Sequence, residues 1–277
     1  MRIAFVLTLI ALGCVLVGAV VLQSGMYNIA ATEQHYAPTY LLLDTGMRRS
    51  VQSHARGIDI PPLDDPALVD RGLTLYRAHC AQCHGAPGIA PEPFALGLTP
   101  PPANLAHAAR AWRANELYWI VRNGAKMTGM PAWEFRLWEH DTWAVVAFML
   151  ELPRLSPFQY AAKTRGTGTG DTAVPVTTRE APPTSPSEIR GKRALLQYGC
   201  GTCHAIPGIV GAYAQVGPPL KGLATRPFLV GILTNTPENL LRWIQHPTRI
   251  DPNTAMPDLG VPEGDARDIA AYLSNMR

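Results

Sequence analysis

The chain has 277 residues, enough for two small domains and additional segments. A net charge of +3 and the lack of any basic run interleaved with aromatics argue against nucleic acid as a partner. With 26 prolines and 24 glycines the chain is rich in loops and linkers, and its cysteines number five, which is odd.

Ile3 to Leu22 is a nearly unbroken apolar run of about 20 residues, long enough to cross a bilayer as a helix. Arg2 precedes it and the next Lys or Arg is Arg48. The positive-inside rule then places the N-terminus in the cytoplasm and the rest outside it. A cleaved signal peptide has a shorter apolar core, roughly 7–15 residues, and Ile29-Ala30-Ala31 is a poor cleavage site. A lipoprotein site at Cys14 is the other alternative, but the run continues past it to Leu22, which favours a small apolar helix residue. Residues 1–25 are therefore expected to form an uncleaved transmembrane anchor.

Residues 26–64 read as a connector with a candidate amphipathic helix. Pro38 opens a helix running to about His54. Leu41, Leu42, Leu43, Met47 and Val51 supply an apolar side, and Arg48, Arg49, His54 and Arg56 a basic one. Such a helix either lies on the membrane or an integral partner, or packs on the domain that follows. Ile58 to Pro62 is extended and ends in proline.

A first domain is expected over residues 65–155. Asp65 caps a helix with Pro66 in its first turn, and that helix delivers Cys80. Cys80-Ala81-Gln82-Cys83-His84 is the attachment pattern of a c-type haem: two thiols close enough to add to the vinyl groups of one porphyrin, and an adjacent histidine to ligate the iron. A loop rich in proline and glycine runs from Gly85 to Pro102. A short helix from Asn115 to Asn123 follows, ended by Gly124, and then the loop Lys126-Met127-Thr128-Gly129-Met130-Pro131. An amphipathic helix from His140 to Leu152 stops at Pro153.

Residues 156–187 read as a flexible linker, dominated by Thr, Pro, Gly, Ala and Ser around Gly166-Thr167-Gly168-Thr169-Gly170. Over residues 188–277 the plan repeats. A helix from about Pro186 to Tyr198 leads to Cys200-Gly201-Thr202-Cys203-His204. A Pro/Gly loop, a helix from Pro237 to Gln245, the Met256-Pro257 loop and a last helix from Glu263 to Met276 complete the copy.

Cys-x-x-Cys is also a zinc half-site. Here the two half-sites are far apart in sequence, and each is followed by its own histidine and its own later methionine. The reading is two covalent haems held by Cys80, Cys83, Cys200 and Cys203, which leaves no disulfide framework. His84 and His204 are the fifth iron ligands, and the other ring nitrogen of each is expected to donate to a backbone carbonyl. Pro219 is the candidate carbonyl for His204, with Pro101 or Pro102 the counterpart for His84. For the sixth ligand a neutral thioether raises the reduction potential and closes the open position that oxygen chemistry requires. Met256 is the choice in the second copy. In the first, Met130 is preferred to Met127 because Met130-Pro131 mirrors Met256-Pro257. Arg226 is a candidate for a haem propionate, against a solvated surface arginine.

Both copies resemble class I cytochromes c: helix, CxxCH, variable loop, short helix, Met-Pro loop, C-terminal helix. The spacing Gly72…Tyr76…Cys80 matches the first helix of that family, with Phe148 or Trp143 as the aromatic on the crossing helix. Gly191…Cys200 is one residue longer than the family spacing, and Tyr272 looks like its aromatic partner. The loop GAKMTGMPAW is similar to those of membrane-bound multihaem cytochromes that accept electrons from periplasmic dehydrogenases. The stretches NTAMPDLGV and DARDIAAYL are similar to cytochrome subunits that feed terminal oxidases.

The resemblance implies an all-α fold, two class I cytochrome c domains in tandem with an N-terminal transmembrane helix. It implies two covalently bound haem c groups and a single-pass protein of the bacterial inner membrane with its haem domains in the periplasm. The expected role is electron transfer without enzymatic chemistry, to a terminal oxidase or another membrane respiratory complex, with a soluble cytochrome or cupredoxin as donor. The linker would let the domains move independently. The alternatives are the electron-accepting subunit of a periplasmic dehydrogenase and a dihaem peroxidase.

Overall fold

The structure is a computed structural model that describes residues 2–134, 136–165 and 185–276. It divides into two units, Met1–Gln34 and His35–Arg277. The first consists of α1 (Arg2–Ser24), a helix of 23 residues with mean hydropathy 2.9 over its best window and no buried residue. By length and composition it is able to cross a membrane.

The described residues of the second unit form helices and loops with one small hairpin. α2 (Ala37–His54) has Pro38 in its first turn. α3 (Pro66–His79) is capped by the Asp65 carboxylate, which accepts the Ala67 N–H at 3.0 Å. Then come α4 (Ala81–His84), α5 (Pro93–Leu96), α6 (Leu105–Ala111), α7 (Ala114–Asn123), α8 (Glu139–Glu151) and α9 (Pro157–Thr164). α10 (Glu188–Gln197) leads to the hairpin of β1 (Phe228–Leu229) and β2 (Leu233–Thr234), paired antiparallel. α11 (Pro237–Gln245), α12 (Pro247–Ile250) and α13 (Glu263–Ser274) close the chain.

These helices enclose two apolar cores. In the first, α3 crosses α8 so closely that a Cβ on Gly72 would lie 1.9 Å from the Ala144 carbonyl oxygen. That approach seals Tyr76 against Phe148, ring centroids 5.2 Å apart and both side chains fully buried. Each such side chain contributes about 2–3 kcal/mol of apolar burial. Phe148 is therefore the aromatic at the crossing, whereas Trp143 stacks on Tyr118 at 4.2 Å. In the second core α10 crosses α13, and a Cβ on Gly191 would lie 1.9 Å from the Asp268 carbonyl oxygen. The crossing survives the longer spacing because α10 stops at Gln197, and Gly199, in the left-handed region at φ +66°, carries the extra residue before Cys200. An ion pair stands beside each crossing: Arg71 with Asp141, and Arg190 with Asp268.

Two expectations change, and one open alternative is resolved. Residues 156–165 are structured: Ser156 and Gln159 form a capping box that opens α9, and Tyr160 is buried in the first core. A single buried tyrosine in a polar stretch has no period to read. The rest of the expected linker, 166–184, lies outside the described residues. The two cores also touch directly. The Gly88 N–H donates to the Asp258 carbonyl at 2.9 Å, and Gly260 at φ +65° sits where a Cβ would come within 2.7 Å of the Ala90 nitrogen. Independently moving domains do not fit that contact. Finally, α2 packs on the body of the unit. Val51 and Ala55 are buried, the Ala55 carbonyl accepts from Asn115 at 2.9 Å, and the Tyr40 ring covers Gly211. Leu41 and Leu42 in its N-terminal half remain exposed.

Candidate haem sites

Each CxxCH segment is one tight turn grown from the end of a helix. The Cys83 and His84 N–H groups both donate to the Cys80 carbonyl, at 3.1 and 2.9 Å. Cys203 and His204 repeat this on the Cys200 carbonyl, at 3.2 and 3.0 Å. Residues three apart on such a turn share a face, so both thiols of each pair address one side. All four cysteines are free thiols. Burial pushes the Cys80 and Cys200 thiols up to about 12, with the neighbouring Cys83 and Cys203 adding to the shift. Tyr76 secures the first turn by donating from its hydroxyl to the Gly85 carbonyl at 2.7 Å.

Each histidine is oriented by a carbonyl, as expected, but the carbonyl is a different one in both copies. His84 Nδ1 lies 2.7 Å from the carbonyl oxygen of Ala103, the residue after Pro101-Pro102. His204 Nδ1 lies 2.8 Å from that of Pro218. A carbonyl only accepts, so Nδ1 carries the proton and Nε2 keeps its lone pair for a metal. Pro219, the expected partner of His204, instead accepts from the Arg226 guanidinium at 2.5 Å. Arg226 also donates to the Lys221 carbonyl at 3.1 Å, so it pins the loop that holds His204. The one-residue offset follows from the path of the loop: the Gly217 N–H is bound to the Cys203 carbonyl at 2.8 Å, and the Pro218 carbonyl is the next to reach the ring. Burial lowers the His84 imidazole against the opposing effect of the Ala103 bond, which keeps it in the neutral, ligating form.

Gly217 lies under the His204 ring: a Cβ there would fall 2.5 Å from Cε1 and 2.8 Å from Nδ1. No spacing rule marks this glycine. The methionine loops also match in a way the sequence reading passed over. The Met130 N–H donates to Thr128 Oγ1 at 3.0 Å, and the Met256 N–H to Thr254 Oγ1 at 3.2 Å. The repeated Thr-x-Met-Pro is the sequence signal for this turn. Met130 and Met256 are half-buried, while Met127 is 85 % exposed with φ +61°. His84, Cys203 and Met256 line a single cleft between the two cores, of about 320 Å³, within the size range of ligand pockets. Met130, His204 and Arg226 are not among the residues that line it.

The donor sets fit a covalently bound haem. Each CxxCH turn carries two neutral thiols and an imidazole whose Nδ1 is committed to a carbonyl. The ring cradle at Gly217 would be filled by any larger side chain.

The first core with its CxxCH turn is similar to a cytochrome c domain. Residues 67–149 match the family described as cytochrome C oxidase, cbb3-type, subunit III. That segment is thus similar to an electron-transfer cytochrome of the kind related to terminal oxidase subunits, and the cytochrome c class implies covalent haem c. No curated protein matches the chain.

Proposed function

We propose that the chain is a membrane-anchored dihaem c-type cytochrome that carries electrons in a periplasmic respiratory chain to a terminal oxidase. The observation that carries the reading is the repetition of one local architecture. Twice, a helix ends in a CxxCH turn, a loop carbonyl holds the histidine, and a threonine hydroxyl holds a Met-Pro loop. In this reading residues 65–155 and 188–277 are two cytochrome c domains. Cys80, Cys83, Cys200 and Cys203 would hold the haems, His84 with Met130 and His204 with Met256 would ligate the irons, and α1 is the single membrane span.

Bound haem supplies a one-electron iron couple. The residues of the chain do the rest. The carbonyls of Ala103 and Pro218 fix the tautomer and ring plane of each histidine. Thr128 and Thr254 set the methionine loops, and the buried crossings keep the motif turns in place. A soft thioether sets a high potential and closes the site to oxygen chemistry. The matched family favours the oxidase as acceptor over a dehydrogenase partner.

Purification from membranes tests the reading. Two haems per chain by alkaline-pyridine spectrum, low-spin ferric spectra, co-purification with a terminal oxidase and oxygen-dependent reoxidation only with that oxidase are expected. Peroxide turnover, or co-purification with a dehydrogenase alone, would move the protein to another class.

A further inference from the structure

The two methionine loops are held by different neighbours. The Met130 loop is closed from within the first half. The Ala125 N–H donates to the Met130 carbonyl at 3.3 Å, and past the loop the Trp133 and Glu134 N–H groups donate to the Val121 and Arg122 carbonyls of α7, at 3.3 and 2.9 Å. Trp133 packs against the first core, and its ring lies 5.2 Å from that of His79, the residue before Cys80. That contact ties the loop to the end of the helix that delivers the motif. The second copy has other residues at both positions: Gly199 precedes Cys200, and Leu259 stands three residues after Met256, where Trp133 follows Met130.

Leu259 packs against the second core, but the polar contacts of this loop with its own half are long. His246 Nδ1 is 3.5 Å from Asp258 Oδ2, and Gln245 Nε2 donates to the Val261 carbonyl at 3.4 Å. A shorter bond comes from the other half. The Gly88 N–H donates to the carbonyl of Asp258, two residues past Met256, at 2.9 Å. The Asp258 carboxylate accepts the Gly260 N–H at 3.1 Å, and Gly260 sits where a Cβ would come within 2.7 Å of the Ala90 nitrogen and 2.9 Å of the Gly88 carbonyl oxygen. Ala90 packs against the second core. Gly88 is backed by its own half: Ala86 and Ile89 pair across it at 2.9 and 2.8 Å, and a Cβ on Gly88 would lie 2.8 Å from the Cβ of Pro157, at the start of α9.

We infer that Gly88 and Ala90 of the first half are positioning residues for the Met256 loop of the second half, whereas the Met130 loop is positioned by its own half. In the dihaem reading, on which this rests, sulfur ligation of the second iron depends on the closed contact between the halves, and ligation of the first does not. Opening the contact strips the Asp258 carbonyl of its partner and frees the loop to fluctuate locally, which amide exchange reports.

Two variants of the full chain in detergent wedge the contact from opposite sides, Gly260→Val from the second half and Ala90→Glu from the first. Met256→Ala and Met130→Ala assign the share of the sulfur-to-iron absorption that belongs to each methionine. Both wedges are expected to remove the Met256 share and keep the Met130 share. Hydrogen exchange read by mass spectrometry on the same samples is expected to speed up over residues 254–260 and to stay at the parent rate over residues 125–131. Retention of the Met256 share with unchanged exchange at 254–260 would overturn the inference, as would equal losses in both loops. Where a wedge variant loads no haem, exchange in the two loops decides by the same comparison. Haems are counted on the parent protein. One haem per chain would overturn the dihaem reading, while the exchange contrast still decides which half holds the Met256 loop.

Discussion

The smallest determinants of both sites are single atoms missing or present. Gly217 leaves the volume that the His204 ring occupies. Gly217→Ala would force the ring or the loop aside and weaken the bond to Pro218, at about 1–3 kcal/mol of local overpacking. The expected outcome is loss or distortion of one of two low-spin haem spectra, with the other unchanged. Met130 and Met127 provide a second contrast. Met130→Ala should abolish one sulfur-to-iron absorption band and lower the potential of the first haem. Met127→Ala should do neither, since that side chain points into solvent. The reverse result would transfer the ligand to Met127.

At this scale the sequence was legible where chemistry is local. CxxCH places its own thiols and histidine, because one helical turn spans them. The partners of the histidines were not, because a carbonyl 14 or 19 residues away is brought up by the loop, and one residue of loop path decides between Pro218 and Pro219.

The helix crossings are the next scale. Gly72 and Gly191 are the points where two backbones touch, so Gly72→Val would lever α3 from α8 and expose Tyr76 and Phe148. A loss of about 3 kcal/mol, the upper end of overpacking, is expected in urea unfolding, with poor haem loading. The Arg71–Asp141 pair beside that crossing sets a pH dependence. The hydrogen bond from Arg71 holds the Asp141 carboxyl below its ordinary 3.8, against the effect of burial. A depressed acid pKa stabilises the fold above 3.8, and that contribution disappears as pH falls through the lower, folded value. Unfolding of Asp141→Asn should therefore show a shallower acid limb than the parent, with the difference largest at neutral pH. Identical pH profiles for the two proteins would remove the pair from the acid response.

Periodicity and capping made the long helices readable. α2 begins one residue before the expected Pro38 and ends at His54, and α11 has the expected bounds. α3 and α11 combine an apolar period with a side-chain cap, at Asp65 and Thr236, and both signals are local. The short α9 was not readable, because its one buried residue, Tyr160, is stabilised by contacts with residues distant in sequence.

For the whole molecule the decisive feature is the contact between the two halves. A protease site inserted between residues 165 and 185 and then cut should leave the two pieces of the second unit together on size exclusion. Gly260→Val should let them separate, because a Cβ there meets backbone that has no free rotation to retreat. Separation of the cut parent protein would show that the covalent connection alone joins the halves.

The sequence by itself determined the apolar helix, the two CxxCH turns, the methionine loops and the repeated order of elements. Each depends on residues within a few turns of one another, where covalent geometry and period are sufficient. Only the tertiary structure decided which carbonyl holds each histidine, how an extra residue is absorbed at Gly199, and that His84, Cys203 and Met256 share a cleft. Those arrangements depend on backbones meeting across long sequence distances, at contacts that close only when a particular glycine leaves room.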